Sequence, residues 1–453
     1  FLLFMGAILR RHWLFILLLF GISVFFLFGV PKIPFHPDES TFLFMSGEFE
    51  RTISNPRELA WDNPVDLTPV MRYRMIDAPL TRYLVGFGRT LAALPAPQYD
   101  WDWSASWQDN LFSGAYPGPQ ALLTGRFTIA LLFPLSLILL YLIGLKLDGR
   151  LLGITAIILF SFNPLVLLHT RRVMAEGVLI FTILLALYAL LYADRYPFFA
   201  GLAVALAFNA KHTAGLLLPA GIVAAAWIPF ATSSKYRRIA SNLLRFTTGF
   251  GILTLLLNPF MWQHPISAAQ TALDQRQALI ERQVDDFRRI APAQLLDSPG
   301  KRAAVAVAQV FIAPPVFSET GNYAEFTAGD EAAYLESFSI QVGRQPWSSG
   351  LLIGFTLLGL IAAFRTLFEE YSLHRRYPAL LLLSFFSVAI GIGLLVHLAW
   401  QRYYLPLVPF TALFAAFGLS WGIKTSHGIF AHGRWYARLS QVLAQFAPDS
   451  RVT

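Results

Sequence analysis

The sequence predicts an all-α polytopic membrane protein with roughly ten transmembrane helices. Apolar segments of about 17 to 25 residues recur along most of the chain, and an α-helix of that length crosses about 30 Å of hydrocarbon. The composition agrees, because 56% of the 453 residues are hydrophobic and only 14% are charged, whereas soluble domains carry about 25% charged residues. The strands of a transmembrane barrel would instead give short segments of alternating polarity, which the sequence does not show.

Apolar runs between charged or proline-rich breaks locate the individual spans. We predict spans near residues 12–30, 121–145, 151–168, 177–193, 198–210, 213–230, 246–262, 349–365, 378–398 and 404–422. They divide the chain into an N-terminal transmembrane module, a second long loop, a C-terminal set of transmembrane helices and a tail, at residues 1–262, 263–347, 348–422 and 423–453. The N-terminal module contains the first long loop, at residues 31–120.

Lys and Arg residues in the short loops orient the spans by the positive-inside rule. The cations that fall on one common side of the predicted spans are Arg10, Arg11, Lys146, Arg150, Arg195, Lys235, Arg237, Arg238, Arg245, Arg375, Arg376, Lys424 and Arg434. We predict that this side is the cytoplasm and that both termini lie there. Both long loops then lie outside, and short helices in the first long loop are expected to rest on the membrane surface.

Four cations break this rule, because they occupy short turns on the outer side: Arg171, Arg172, Lys211 and Arg402. A cation near the bilayer centre costs about 2.5–3.5 kcal/mol on insertion scales. Each one alone could simply extend toward lipid headgroups. Four of them on one face favour a shared site for an anionic ligand.

Carboxylates gather on the same predicted face, at Asp38, Glu39, Asp77 and Glu176. Asp38 and Glu39 follow Pro37 in the first turn of a predicted helix, where acids also serve as caps. Neighbouring helical residues point about 100° apart, so these two acids are not expected to share one task. A carboxylate can take a proton from an attacking hydroxyl, while Arg and Lys bind a phosphate and stabilise its charge as it leaves.

The composition also excludes several kinds of site. The chain has no cysteine, so it contains no disulfide, thiolate nucleophile or Cys-ligated metal. Its net charge of +8 is interpreted as loop charge that sets orientation, and we expect no nucleic-acid partner.

Five stretches, in this order, resemble one family. PDES at the exit of the first span is similar to an acidic-pair motif, and MIDAPLTRYLVGFGR resembles an Asp-x-Pro-Pro-Leu segment in the same loop. The strongest stretch, from LTGRFTIALL to LLALYALL, is similar in spacing to the family's second, third and fourth spans. GLAVALAFNAKHTAGLLLP and WQRYYLPLVPF resemble a later Lys-bearing turn and an Arg-Tyr-x-x-Pro turn. On these motifs the chain resembles the GT-C glycosyltransferases, in the group of the protein O-mannosyltransferases and bacterial aminoarabinose-lipid A transferases.

The resemblance implies a role for each acid. Asp38 would be the general base that activates the acceptor, and Glu39 and Asp77 would line the same pocket. Glu176 stands where relatives commonly carry an acid, although Asp is more usual there. A second departure is Ala78, where the family pattern has a proline.

The resemblance also implies the ligands. Arg171, Arg172 and Lys211 would contact the phosphate of a polyprenyl-phosphate sugar, and Arg402 would join them. The acceptor would be a protein, a lipid or a glycan, and the setting a bacterial cytoplasmic membrane, with membrane lipid as a further partner. Some relatives hold a metal ion near the site and others do not, so the resemblance names no cofactor and leaves a divalent metal open.

The sequence therefore predicts an enzyme that transfers a sugar from a polyprenyl-phosphate donor at the outer face, with inversion at the sugar carbon. One alternative is a lipid or sugar transporter, which also carries charges within the membrane. A second is a membrane subunit that keeps the fold without the chemistry. A third is a set of unrelated interfacial charges, which predicts that Asp38, Arg172 and Lys211 lie far apart.

Overall fold

The predicted all-α architecture is confirmed. The computed structural model describes residues 2–62, 67–227, 235–318, 321–337, 343–368 and 375–429. Within these ranges the chain is helical, and an isolated β-bridge joins Leu295 to Leu398. The predicted tail from residue 430 onward, with Arg434, lies outside the described residues.

In the described residues, the first span and the first long loop contain six α-helices, and a seventh begins the next span. They are α1 (Leu2–Phe28), α2 (Pro37–Met45), α3 (Glu48–Ser54), α4 (Pro69–Ile76), α5 (Pro79–Leu91), α6 (Trp107–Ser113) and the start of the next span, α7 (Pro119–Ala130). The rest of the N-terminal module consists of α8 (Leu132–Leu147), α9 (Arg150–Ser161), α10 (Pro164–His169), α11 (Ala175–Leu190), α12 (Pro197–Ala210), α13 (Leu218–Ala226) and α14 (Lys235–Leu257).

The second long loop and the C-terminal part follow. They contain α15 (Pro265–Ile290), α16 (Pro299–Val307), α17 (Ala324–Leu335), α18 (Pro346–Thr366), α19 (Arg376–Leu395) and α20 (Val408–Ile429). A 3₁₀ segment, Gln401–Leu407, leads directly into α20.

Each predicted span falls on an apolar helix. Among the residues that the structure describes, six helical stretches are long and apolar enough to cross a membrane: His12–Lys32, Pro119–Leu147, Tyr236–Leu257, Pro346–Thr366, Arg376–Leu395 and Gln401–Ser426. Four more are apolar but shorter, at Arg150–Ser161, Ala175–Leu190, Pro197–Ala210 and His212–Ala226. The chain is therefore an integral membrane protein, while the number ten and the orientation of the termini stay predictions.

Two predicted spans have different bounds in the structure. The run at 151–168 is broken after Ser161, because Pro164 lacks an N–H and begins a new helix. The seventh span begins at Lys235 rather than near residue 246, because its polar first turns carry no hydropathy signal.

Glycines let neighbouring spans touch through their backbones. A Cβ on Gly359 of α18 would overlap the carbonyl oxygen of Phe414 in α20, and one on Gly418 would overlap that of Phe355. Gly201 of α12 lies in the same way against Phe246 of α14. Helices in lipid gain no hydrophobic energy when they associate. Close packing at small residues such as these glycines helps to hold the spans together instead.

A buried ion pair fixes the start of the first long loop to the bundle. Glu39 in α2 accepts hydrogen bonds from Arg126 of α7, Nε to Oε1 at 2.8 Å and Nη2 to Oε2 at 2.7 Å. The Val173 backbone N–H donates to Oε1 at 3.0 Å, and the His36 N–H donates to Oε2 at 3.2 Å. Arg126 also donates to the Ile33 carbonyl at 2.7 Å. This carboxylate therefore joins three separate chain segments.

We expect Glu39→Gln to lower thermal stability in detergent strongly, because it leaves Arg126 buried without its counter-charge. Loss of one partner of a buried pair typically costs about 3–5 kcal/mol. The exposed Glu281, which only meets Gln277 one turn away, gives a matched control as Glu281→Gln. Equal melting temperatures for the two variants would contradict a structural role for Glu39.

Candidate active site

One cavity of about 860 Å³ collects several of the predicted site residues. The first long loop borders it through α2 and the end of α4, and the second long loop through α15. The remaining walls come from the turns near residues 174–176, 210–213 and 400–403. The predicted site residues on its wall are Asp38, Asp77, Glu176, Lys211 and Arg402.

Asp38 enters this cavity from the first turn of α2. The imidazole Nδ1 of His36, the N-cap residue, accepts a hydrogen bond from the Asp38 backbone N–H at 3.1 Å, and Pro37 occupies the first helical position. The Asp38 carboxylate pairs with Arg402 and stays one-quarter exposed. The local sequence thus holds one carboxylate at the cavity surface in a fixed direction.

Arg402 approaches from the opposite end of the chain. It lies in the 3₁₀ segment at Gln401–Leu407, and its guanidinium packs 5.0 Å from the ring centre of Trp400 and 5.9 Å from that of Tyr403. Aromatic faces of this kind stabilise a cation electrostatically. The side chain is one-tenth exposed, so Arg402 is a largely desolvated cation at the cavity wall.

Lys211 and Glu176 form a second ion pair beside the first. The Lys211 Nζ lies 2.7 Å from Glu176 Oε1, and the ammonium also lies 5.3 Å from the ring centre of Tyr403. Lys211 ends α12 in an extended conformation, and Glu176 lies in the first turn of α11. Lys211 is one-fifth exposed, whereas Glu176 is nearly completely buried.

Glu39 does not border the cavity, so the expectation that it would line the pocket beside Asp38 is wrong. Its side chain has no exposed surface, because Arg126 and two backbone N–H groups enclose the carboxylate. Burial tends to raise the pKa of Glu39, but the Arg126 charge and hydrogen bonds, the Arg172 charge and the Val173 N–H bring it below its ordinary value. The 100° between neighbouring helical residues separates the two acids, as predicted.

Arg171 and Arg172 also lie away from the cavity, which corrects their expected contact with the phosphate. Arg171 donates to the Phe26 carbonyl at 2.9 Å and to the Tyr334 hydroxyl at 3.1 Å. Arg172 donates to the carbonyls of Pro34 and Phe317, both at 3.3 Å. Both side chains are buried, and they connect the span ends to the two long loops.

Asp77 also borders the cavity. It follows α4 in an extended conformation, and Ala78 is extended too, as is usual for residues before a proline. Burial raises the pKa of the Asp77 carboxyl, and the nearby charges of Arg276, Arg82 and Lys211 oppose that rise while Asp38 adds to it.

Several cavity residues were missed from sequence. Tyr73 borders the cavity and donates to Asp100 at 2.6 Å, and burial, with the Asp100 charge, raises the pKa of this phenol far above its ordinary value. Trp103 borders it from the stretch DWDWSASW in the first long loop. Arg276 borders it from α15. The signal for Arg276 is helical spacing, since Leu279, Gln283, Phe287 and Ile290 continue the same cavity-facing stripe.

Within the described ranges, no three His, Asp or Glu side chains converge closely enough to hold a metal ion. Asp38 and Lys211 share one cavity, while Arg172 lies apart. The alternative of unrelated interfacial charges predicts that these three residues lie far apart. The shared cavity contradicts it for Asp38 and Lys211.

Comparison with known proteins gives one family match. Residues 54–266 match the family described as dolichyl-phosphate-mannose-protein mannosyltransferase. This range is a little under half of the chain and contains Asp77, Glu176 and Lys211. A search of curated proteins finds no match.

Solved structures show a similar fold. The Archaeoglobus fulgidus oligosaccharyltransferase tethered with an acceptor peptide gives a TM-score of 0.50 at 13% identity, covering 97% of this chain and 54% of that one. The same enzyme with Zn and sulfate gives 0.49 at 14% identity, with 95% and 54% covered. The S. cerevisiae protein O-mannosyltransferase Pmt1-Pmt2 complex bound to the sugar donor gives 0.39 at 15% identity, with 56% and 34% covered.

The chain thus spans about half the length of the oligosaccharyltransferase whose fold it shares. Residues 54–266 thus resemble the protein O-mannosyltransferase family, and the fold is similar to that of the oligosaccharyltransferase. The family match supports a membrane glycosyltransferase.

Proposed function

We propose that this protein transfers a sugar from a polyprenyl-phosphate-linked donor to a hydroxyl group of a protein, lipid or glycan. The reaction takes place at the extracytoplasmic face of a bacterial cytoplasmic membrane, with both chain termini in the cytoplasm. The observation that supports it best is the meeting of one part-exposed carboxylate, Asp38, with two cations, Lys211 and Arg402, on a single cavity.

Each of the three groups has a place in the proposed transfer. Asp38 takes the proton of the acceptor hydroxyl while that oxygen forms a bond to the anomeric carbon. The bond from this carbon to the phosphate oxygen breaks, and its electron pair stays on the polyprenyl phosphate. Lys211 and Arg402 stabilise the charge that develops there. Attack from the face opposite the leaving group inverts the sugar carbon, as in inverting glycosidases.

The pairing of Asp38 with Arg402 gives this site an order of events. While the pair is closed, the Arg402 guanidinium occupies one oxygen of the Asp38 carboxylate. A donor phosphate competes for the same guanidinium, since Arg binds phosphate and carboxylate through the same donor fork. Donor binding would therefore loosen the ion pair and leave the Asp38 carboxylate available to the acceptor.

The two departures from the family pattern leave the local structure intact, which favours an enzyme over a non-catalytic subunit. Ala78 has φ −61° and ψ 138°, a backbone conformation that proline also adopts. Glu176 carries the charge that Lys211 pairs with. The transporter alternative called for charges near mid-bilayer in matched halves, whereas the cavity charges gather around one site.

We expect Asp38→Asn to lower the transfer rate by about 10²–10⁴-fold, the usual contribution of a general base. Donor binding should persist, because the amide keeps the shape of the carboxylate and Arg402 stays in place. The measurement is kcat together with donor affinity, with the exposed Asp285→Asn on α15 as the control. An Asp38→Asn variant with full activity would refute this assignment.

Binding of polyprenyl phosphate should depend on Lys211. Replacing Lys211 alone would leave the buried Glu176 carboxylate without its counter-charge. The informative variant is therefore Lys211→Met with Glu176→Gln, which removes both charges. We expect this double variant to keep its fold and to lose co-purifying polyprenyl phosphate, as measured by mass spectrometry. Lys301→Ala, on part-exposed α16, is the control. Equal lipid retention in all three proteins would remove Lys211 from the phosphate site.

A further inference from the structure

Helix α15 of the second long loop crosses one side of the cavity. Near its start Ala268 is buried in a small apolar cluster with Trp61 and Met75, so this end is fixed to the first long loop. Near its end the ring of Phe287 lies 5.4 Å from that of Trp400. The helix is therefore held at both ends, and its middle turns face the cavity from a fixed position.

The residue that this helix brings to the cavity first is Arg276. It follows Ala272 by one helical turn and lies on the same face of α15. The side chain is half-buried, and it forms no hydrogen bond or ion pair with any residue that the structure describes. A partly desolvated cation without a counter-ion is costly, unless a ligand supplies the missing charge.

The other cavity cations already have acidic partners. Lys211 pairs with Glu176, and Arg402 pairs with Asp38. Arg289, further along α15, pairs with Asp286 at 2.6 Å. Among the described cavity residues, Arg276 thus differs from these three in having its charge open to a ligand.

The charge of Arg276 acts on the carboxyl of Asp77, which also borders the cavity. Among the charges that oppose the rise of the Asp77 pKa, that of Arg276 acts most strongly, yet the two side chains do not form an ion pair. A space therefore separates a cation from the second long loop and a carboxylate from the first. An anion beside the cation and hydroxyl groups beside the carboxylate would satisfy both, and a sugar phosphate carries these groups next to each other.

We propose that Arg276 binds the phosphate of the polyprenyl-phosphate donor from the second long loop. This inference rests on the proposed function. It adds a phosphate-binding residue that lies outside the segment that matches the family. A guanidinium offers two parallel N–H donors to phosphate oxygens, and a half-buried one loses less of its interaction to water. Arg276 would thus contact the leaving group from α15, while Lys211 would contact it from the turn after α12.

The test compares a polyprenyl monophosphate with the matching neutral polyprenol, both binding to the purified protein in detergent. We expect Arg276→Gln to weaken binding of the phosphate about tenfold or more and to leave binding of the alcohol unchanged. Arg276→Lys should recover part of the affinity, because it restores the charge without the planar fork. The control is Arg282→Gln on the exposed face of the same helix.

The outcomes separate this inference from the proposed function. If the wild-type protein binds the phosphate no better than the alcohol, the proposed function fails. If the wild type prefers the phosphate and Arg276→Gln keeps the same preference, only the role of Arg276 is overturned. Equal losses for both ligands, with a lower melting temperature, would make Arg276 a structural residue and would also overturn the inference.

Discussion

The geometry of the cavity depends on the buried ion pair between Glu39 and Arg126. Both carboxylate oxygens are occupied by the guanidinium, and each accepts a further backbone N–H, from Val173 or His36. The pair thereby fixes the rotation of α2 about its own axis. Asp38, the preceding residue, must then point about 100° away, toward the cavity. The same contact with Val173 holds the turn that leads to Glu176. The buried acid Glu39 therefore sets the direction of its neighbour Asp38, and it also sets the position of a second wall of the cavity.

The cavity is built from charge pairs that a ligand can rearrange. Asp38 with Arg402 and Glu176 with Lys211 each combine a cation with an acid at a surface of low polarity. Such pairs cost desolvation energy and gain Coulomb energy, so their net contribution to stability is small. The two pairs hold Lys211 and Arg402 at the cavity wall, where the proposed donor phosphate would meet them. Tyr403 lies beside both cations and limits how far either can move.

Sequence reasoning located the spans and the cavity acids, but it misjudged which side chains are buried behind the site. The spans follow from hydrophobic length, which is a local property, and the direction of Asp38 against Glu39 follows from helical geometry. Arg171 and Arg172 were misplaced because backbone carbonyls of distant segments, such as Phe26 and Phe317, satisfy them. Contacts of that range leave no local pattern. Arg276 was missed for a similar reason, since an amphipathic helix shows its stripe but not the surface that the stripe meets.

The second long loop adds a wall to the site from outside the segment that matches the family. Its backbone is joined to the turn before Arg402, where Leu296 donates to the His397 carbonyl at 2.9 Å and Ala399 donates to that of Gln294 at 3.0 Å. The side chain of Gln401 accepts from the Val316 N–H at 2.8 Å, so the residue next to Arg402 is also tied to this loop. A change in the loop would therefore shift Arg402 as well as Arg276. Loops carried on a rigid scaffold are the usual place for changes in specificity. In this protein, the loop that matches no family motif bears Arg276 and contacts the turn of Arg402. Lys211, the third cation that we assign to the donor phosphate, lies in the segment that matches the family.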